Sequence, residues 1–133
     1  KLLRVLQDRE YSRVGGREIL KANVRILAAT NQDLEKAVHE KRFREDLYFR
    51  LKVIPIYLPA LRERRGDIPL LIAYFTEKIN REMGNQISGV SPDALRLLED
   101  HPWPGNVREL ENTLIRAAVL SSGPILFPKD FTI

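Results

Sequence analysis

The sequence contains no cysteine, which excludes disulfides and thiolate sites and leaves the redox compartment open. No apolar run approaches the roughly 18 residues of a membrane span. Arg4, Asp8, Arg9 and Glu10 interrupt the apolar residues near the start, so a signal peptide is not expected. The only glycine pair, Gly15-Gly16, is not followed by Lys-Ser or Lys-Thr, so the sequence has no phosphate-cradling P-loop of its own. His39 and His101 lack metal-ligand spacing, and no serine lies in a nucleophile-elbow pattern. What remains is ordinary globular material: 133 residues, 44% apolar and 30% charged, long enough to bury a core. The balance of 22 basic against 18 acidic residues permits phosphate ligands without requiring a nucleic acid.

Leu2, Leu3, Val5 and Leu6 crowd together as the tail of a buried helix, which Asp8 and Arg9 end. Tyr11–Val14 and Arg17–Leu20 flank the glycine pair and predict a β-hairpin, because paired glycines supply positive φ. Val24–Ala29, apolar except for Arg25, predicts a short strand buried on both faces. Thr30 and Asp33 have capping-box spacing ahead of a helix over Leu34–Lys41, with Leu34, Ala37 and Val38 on one face. A second short helix, Arg44–Leu51, turns Leu47, Tyr48 and Leu51 inward. Val53–Leu58 has strand composition, but Pro55 confines it to a sheet edge or to irregular structure.

Beyond Asp67 the period becomes helical. Ile68, Leu71, Ile72, Phe75, Ile79 and Met83 form a core stripe, with Asp67 as N-cap and Gly84 as the stop. Ser91-Pro92 opens the next helix, with Leu95 and Leu98 inward. The break His101–Gly105 precedes an Asn106…Glu109 capping box and a helix whose inner face is Val107, Leu110, Leu114 and Ala117 or Ala118. Ile125–Ile133 reads as a short tail. Strands mixed with helices give way to helices alone near Pro59–Asp67, so the expected fold class is α/β followed by all-α.

Arg44 and Arg50, Asn31, and Arg108 are the candidate functional residues. The two arginines lie six apart on one short helix and need not share a face; pairing of Arg44 with Glu45 or Asp46 is the simpler account. Asn31 follows a strand's carboxyl end, where open α/β sheets bind ligands, although Thr30 and Asn31 also suit a helix cap. Arg108 stands in a first helical turn, an unfavourable place for a cation unless an anion or a Glu109 or Glu111 partner meets it. A DNA-reading helix-turn-helix across Pro102–Asn106 is disfavoured by two prolines, a tryptophan and the acids at the helix entry.

LLRVLQDREYSRVGG, ILAATNQDL, FREDLYFRL, LPALRERRGDIP and HPWPGNVRELEN occur in this order. Together they resemble the sigma-54-dependent transcription activators, the NtrC-like bacterial enhancer-binding AAA+ ATPases, over essentially the whole chain. The resemblance implies the last strands of an AAA+ P-loop-type sheet in residues 1–61, then a helical lid and the start of a linker in 62–133. Asn31 would be sensor I, Arg44 and Arg50 arginine-finger candidates reaching a neighbouring subunit's ATP site, and Arg108 sensor II. Val107 would pack near the adenine, and Tyr11–Leu20 would be a structural hairpin. The implied cofactors are ATP and magnesium, the latter held by residues outside this chain. The implied partners are sigma-54 RNA polymerase, further copies in a hexameric ring, and DNA through a separate domain, all in the cytoplasm. The phosphate-binding loop, the magnesium-holding acidic strand and the sigma-54-gripping loop would precede Leu2, so the chain alone is expected to be inactive. A non-catalytic interaction or DNA-binding module using Arg62–Arg65 and Arg108 is the alternative.

Overall fold

The glycine pair reverses the chain. In the computed structural model, which describes Leu2–Ile133, Gly15 adopts φ +76° and the Gly16 N–H donates to the Arg13 carbonyl at 3.0 Å. The left-handed dihedral is one that glycine reaches without a Cβ clash. Strands β1 (Glu10–Tyr11) and β2 (Leu20–Lys21) pair antiparallel, Glu10 opposite Lys21. Pairing is therefore confined to the base of the hairpin rather than running along the expected arms. Helix α1 (Leu2–Asp8) leads into it, but none of its residues is buried. The expectation of a buried helix is corrected: packing against β1 and the helix at Glu45–Leu51 leaves Leu3 and Leu6 only half-buried and Leu2 exposed.

Val24–Ala29 does not form the predicted strand. Residues 22–30 have no regular structure, and Leu27 is 84% exposed. The reason is physical: a strand is held by ladder hydrogen bonds to neighbours, and none runs beside this segment among the described residues. Val53–Leu58 is irregular and exposed, one of the outcomes Pro55 predicted.

Helix α2 (Leu34–His39) begins at Asp33, whose carboxylate accepts the Lys36 N–H at 3.0 Å. Thr30 instead accepts the Gln32 N–H at 3.0 Å in a local turn. The cap thus sits three residues later than the capping-box reading placed it. An anionic acceptor meets the positive helix end better than a hydroxyl does. Helix α3 (Glu45–Leu51) follows, burying Tyr48 and packing against α2.

The chain divides into two units, Lys1–Tyr57 and Leu58–Ile133. The second has two 3-10 turns, Leu61–Glu63 and Arg65–Asp67, then helices α4 (Ile68–Met83), α5 (Pro92–Asp100) and α6 (Asn106–Leu120). The α4 stripe is buried at Ile68, Ile72, Phe75 and Ile79, whereas Met83, in the last turn, is 46% exposed. Gly84 ends α4 at φ +70°, as expected of a C-terminal glycine. Ser91 caps α5 through its hydroxyl, which accepts the Ala94 N–H at 3.2 Å.

The supposed tail is part of the core. Strand β4 (Ile125–Leu126) pairs parallel with β3 (Gly89–Val90), and Leu126 and Phe131 are buried. The core runs from Leu61 through α4, α5 and α6 to Phe131, with Trp103 its largest fully buried side chain. Fold class follows the expected order, short strands among helices and then an essentially helical unit.

Candidate functional site

Asn31 stands two residues before the Asp33 cap of α2, on exposed backbone. Arg44 and Arg50 lie at opposite ends of α3, Arg44 at the N-cap and Arg50 in the last turn. Six residues of helix separate them by about 9 Å along the axis. Their environments differ. The Arg44 guanidinium donates twice to Asp46, at 3.1 and 2.7 Å, and this pairing holds the Asp46 carboxyl below the usual carboxylate range. Arg50 is exposed and makes no ion pair or hydrogen bond among the described residues.

In the helical unit, Arg108 is exposed in the first turn of α6 and is likewise unpaired among the described residues. Both acids that sequence offered as partners are engaged elsewhere. Glu109 accepts the Gly105 N–H at 2.7 Å, and Glu111 pairs with Lys78 at 2.8 Å, raising the lysine's pKa. Val107 is half-buried against the core. Within the adjacent charge cluster, Arg64 faces Asp67 and Arg65 faces Asp100, each at 3.6 Å. That pairing offsets two of the three arginines within Arg62–Arg65.

The Asn106…Glu109 capping box is also corrected. Asn106 adopts φ +53°, and its side-chain oxygen accepts the Leu61 N–H at 2.8 Å instead of capping α6. Trp103, at φ +46°, donates its indole N–H to the Leu98 carbonyl at 2.7 Å. Together these tie the break before α6 to α5 and to the Leu61 turn, thereby fixing where Arg108 projects.

Sequence reasoning missed one polar group, Glu35–Tyr48–Lys52. The Tyr48 hydroxyl donates to Glu35 at 2.7 Å and accepts from Lys52 Nζ at 2.6 Å, and Lys52 also donates to Glu35. The ammonium lies 5.2 Å from the Tyr48 ring centroid. Lys52 and Tyr48 hold the Glu35 carboxyl below its usual range, while Glu35 holds Lys52 well above the usual lysine value. Among the described residues, no group of three or more His, Asp or Glu side chains is placed to hold a metal, and no helix is long and apolar enough to cross a membrane.

The helical unit, with its buried turn before α6, is an AAA+ lid: residues 62–132 match the AAA+ ATPase lid domain. Residues 1–57 match the sigma-54 interaction domain. The chain belongs to the family of sigma-54-dependent transcription activators. It is 51% identical to the regulatory protein AtoC of Escherichia coli over 98% of its length, covering 28% of that protein. Against the anaerobic nitric oxide reductase transcription regulator NorR of Aeromonas hydrophila it is 60% identical over 91% of its length, covering 24% of that protein. The chain thus spans about a quarter of each relative's length. Its fold matches NtrX from Brucella abortus, crystallised with ATP, at a TM-score of 0.91 and 40% identity, over 99% of this chain and 31% of NtrX.

Proposed function

We propose that this chain supplies the finger and lid residues of a ring-forming AAA+ ATPase that uses ATP hydrolysis to remodel sigma-54 RNA polymerase. In this reading residues 1–61 complete the α/β subdomain, and residues 62–133 are the lid with the start of a linker. The observation that carries it is that Arg50 and Arg108, on helix ends, make no ion pair or hydrogen bond among the described residues, while the nearby acids Asp46, Glu109 and Glu111 are engaged elsewhere. A cation left alone at the positive end of α6 suits an anionic ligand, so Arg108 fits a nucleotide phosphate within its own subunit. Val107 beside it offers an apolar contact for the base.

Arg50 reaches a neighbouring subunit's nucleotide and stabilises charge on the transferring phosphoryl group. Arg44 is the second finger candidate and must first leave Asp46. Asn31 orients the attacking water or reads the γ-phosphate. Magnesium, which neutralises phosphate charge in such sites, finds no ligand set among the described residues. DNA binding through a separate domain and a cytoplasmic location complete the reading, and the 133-residue chain alone neither binds ATP tightly nor hydrolyses it.

Arg50→Ala in the full-length protein tests this. Steady-state hydrolysis is expected to fall by about 10³–10⁵, with nucleotide binding retained, the range that arginine fingers supply. Normal turnover in the assembled ring refutes the assignment.

A further inference from the structure

Asn31 and Arg50 belong to different elements, so a response at one reaches the other only through a physical link. The Asp33 cap fixes the start of α2 directly after Asn31, and Glu35 lies in the first turn of that helix. Tyr48 and Lys52 lie on the last turn and C-cap of α3, on either side of Arg50. We propose that Glu35, Tyr48 and Lys52 form a positioning clasp that couples the α2 start behind Asn31 to the α3 end carrying Arg50.

The bonding is closed. Glu35 accepts from both Tyr48 and Lys52, and Lys52 donates to both Glu35 and the tyrosine oxygen. Each pair of the three groups is joined, and the two bonds to Glu35 bridge the helices, so rotating α3 against α2 strains both at once. Tyr48 is buried, which fixes the ring that directs its hydroxyl. Arg50 is two residues from each α3 member and makes no ion pair or hydrogen bond of its own among the described residues, so the clasp sets the helix end from which it projects. Local sequence does not foreshadow this link, because Glu35 and Tyr48 are 13 residues apart.

The inference rests on the finger and sensor reading above, and its test separates the two. Steady-state ATP hydrolysis and nucleotide affinity are measured on the full-length protein as Arg50→Ala, Glu35→Gln, Tyr48→Phe and the double variant Glu35→Gln/Arg50→Ala. The exchanged pair Glu35→Lys/Lys52→Glu serves as rescue. Glu35→Gln and Tyr48→Phe are expected to lower kcat between about ten- and a hundredfold, the scale of a misplaced catalytic group, with KM unchanged. Glu35→Gln is expected to add nothing in the Arg50→Ala background, and the exchanged pair to recover rate over Glu35→Lys alone. A purely structural role lowers rate equally in both backgrounds and overturns the clasp. Wild-type kcat in Glu35→Gln together with a loss in Arg50→Ala also overturns the clasp while leaving the finger standing. Wild-type turnover in Arg50→Ala overturns both.

Discussion

Replacing Asn106 should separate two costs that the structure places on one residue. Its side-chain oxygen accepts the N–H of Leu61, a residue with no solvent exposure, and its backbone sits at φ +53°. Alanine removes the acceptor, stranding a buried N–H at about 1–3 kcal/mol. Asparagine already carries a Cβ there but tolerates the left-handed region better than alanine, for which that region costs roughly 1–2 kcal/mol. Glycine loses the same hydrogen bond but not the dihedral, while its freer unfolded chain costs about 0.5–1 kcal/mol. Asparagine should therefore exceed glycine, and glycine exceed alanine by about 0.5–1 kcal/mol. Aspartate keeps an acceptor at a helix N-terminus and should stay within about 1 kcal/mol of the parent. The assay is urea unfolding followed by tryptophan emission. Trp103 is the only tryptophan and is buried in the same unit, so the signal reports that unit even if the other unfolds separately. A parent-like midpoint for Asn106→Ala, or an alanine variant more stable than the glycine one, refutes the reasoning.

The hydroxyl of Thr76 is buried in α4 with no hydrogen-bond partner among the described residues, so the isosteric Thr76→Val should raise the urea midpoint, worth about 1 kcal/mol; a lowered midpoint counts against it. A Cβ on Gly105 would lie 2.8 Å from the Glu109 Cβ and disturb the carboxylate that caps its N–H. Gly105→Ala should therefore cost about 1 kcal/mol by the same measurement, the scale of a lost cap, and an unchanged midpoint contradicts this. Glu35 is held below the ordinary carboxylate value of about 4.3, so its contribution is complete above that value and is lost as pH falls through the lower folded one. An NMR titration should find Glu35 below the ordinary value and moved upward in Tyr48→Phe; coincidence of the two curves speaks against the bond. Lys52 is raised, so its part persists below the ordinary lysine value of about 10.4 and fails only above its own higher folded value.

The α4 stripe and the Ser91 cap of α5 were legible because both are local: helical period and a cap acceptor act within a few residues. Elements whose partners lie far along the chain were not. Asn106 has cap-like spacing to Glu109, yet its oxygen is taken by an N–H 45 residues away, while Glu109 turns back to Gly105. Leu126 reads as tail and is core, because its strand pairs with residues around Val90. Val24–Ala29 shows the converse. Its composition states a capacity for pairing, and capacity becomes a strand only where another backbone lies alongside.

The same distinction separates the surroundings of the two α3 arginines. In sequence both are candidates, and only Arg44 is read with acid partners, Glu45 or Asp46. The fold shows which acid holds Arg44: Asp46 lies two residues beyond it, within reach of a bidentate grip, and its own oxygen is further fixed by accepting the Leu47 N–H at 2.7 Å. As a finger, Arg44 would therefore have to exchange an existing anion for a phosphate, whereas Arg50 has no ion pair to surrender among the described residues. Asp46→Asn keeps a side-chain oxygen for the Leu47 N–H, so its effect on hydrolysis should run chiefly through Arg44. If Arg44 is a working finger, Asp46→Asn frees it and changes hydrolysis by the full-length protein. If Arg50 is the principal finger, Asp46→Asn leaves kcat near the parent value while Arg50→Ala abolishes it. A large kcat change in Asp46→Asn that disappears in the Arg44→Ala background reverses the assignment in favour of Arg44.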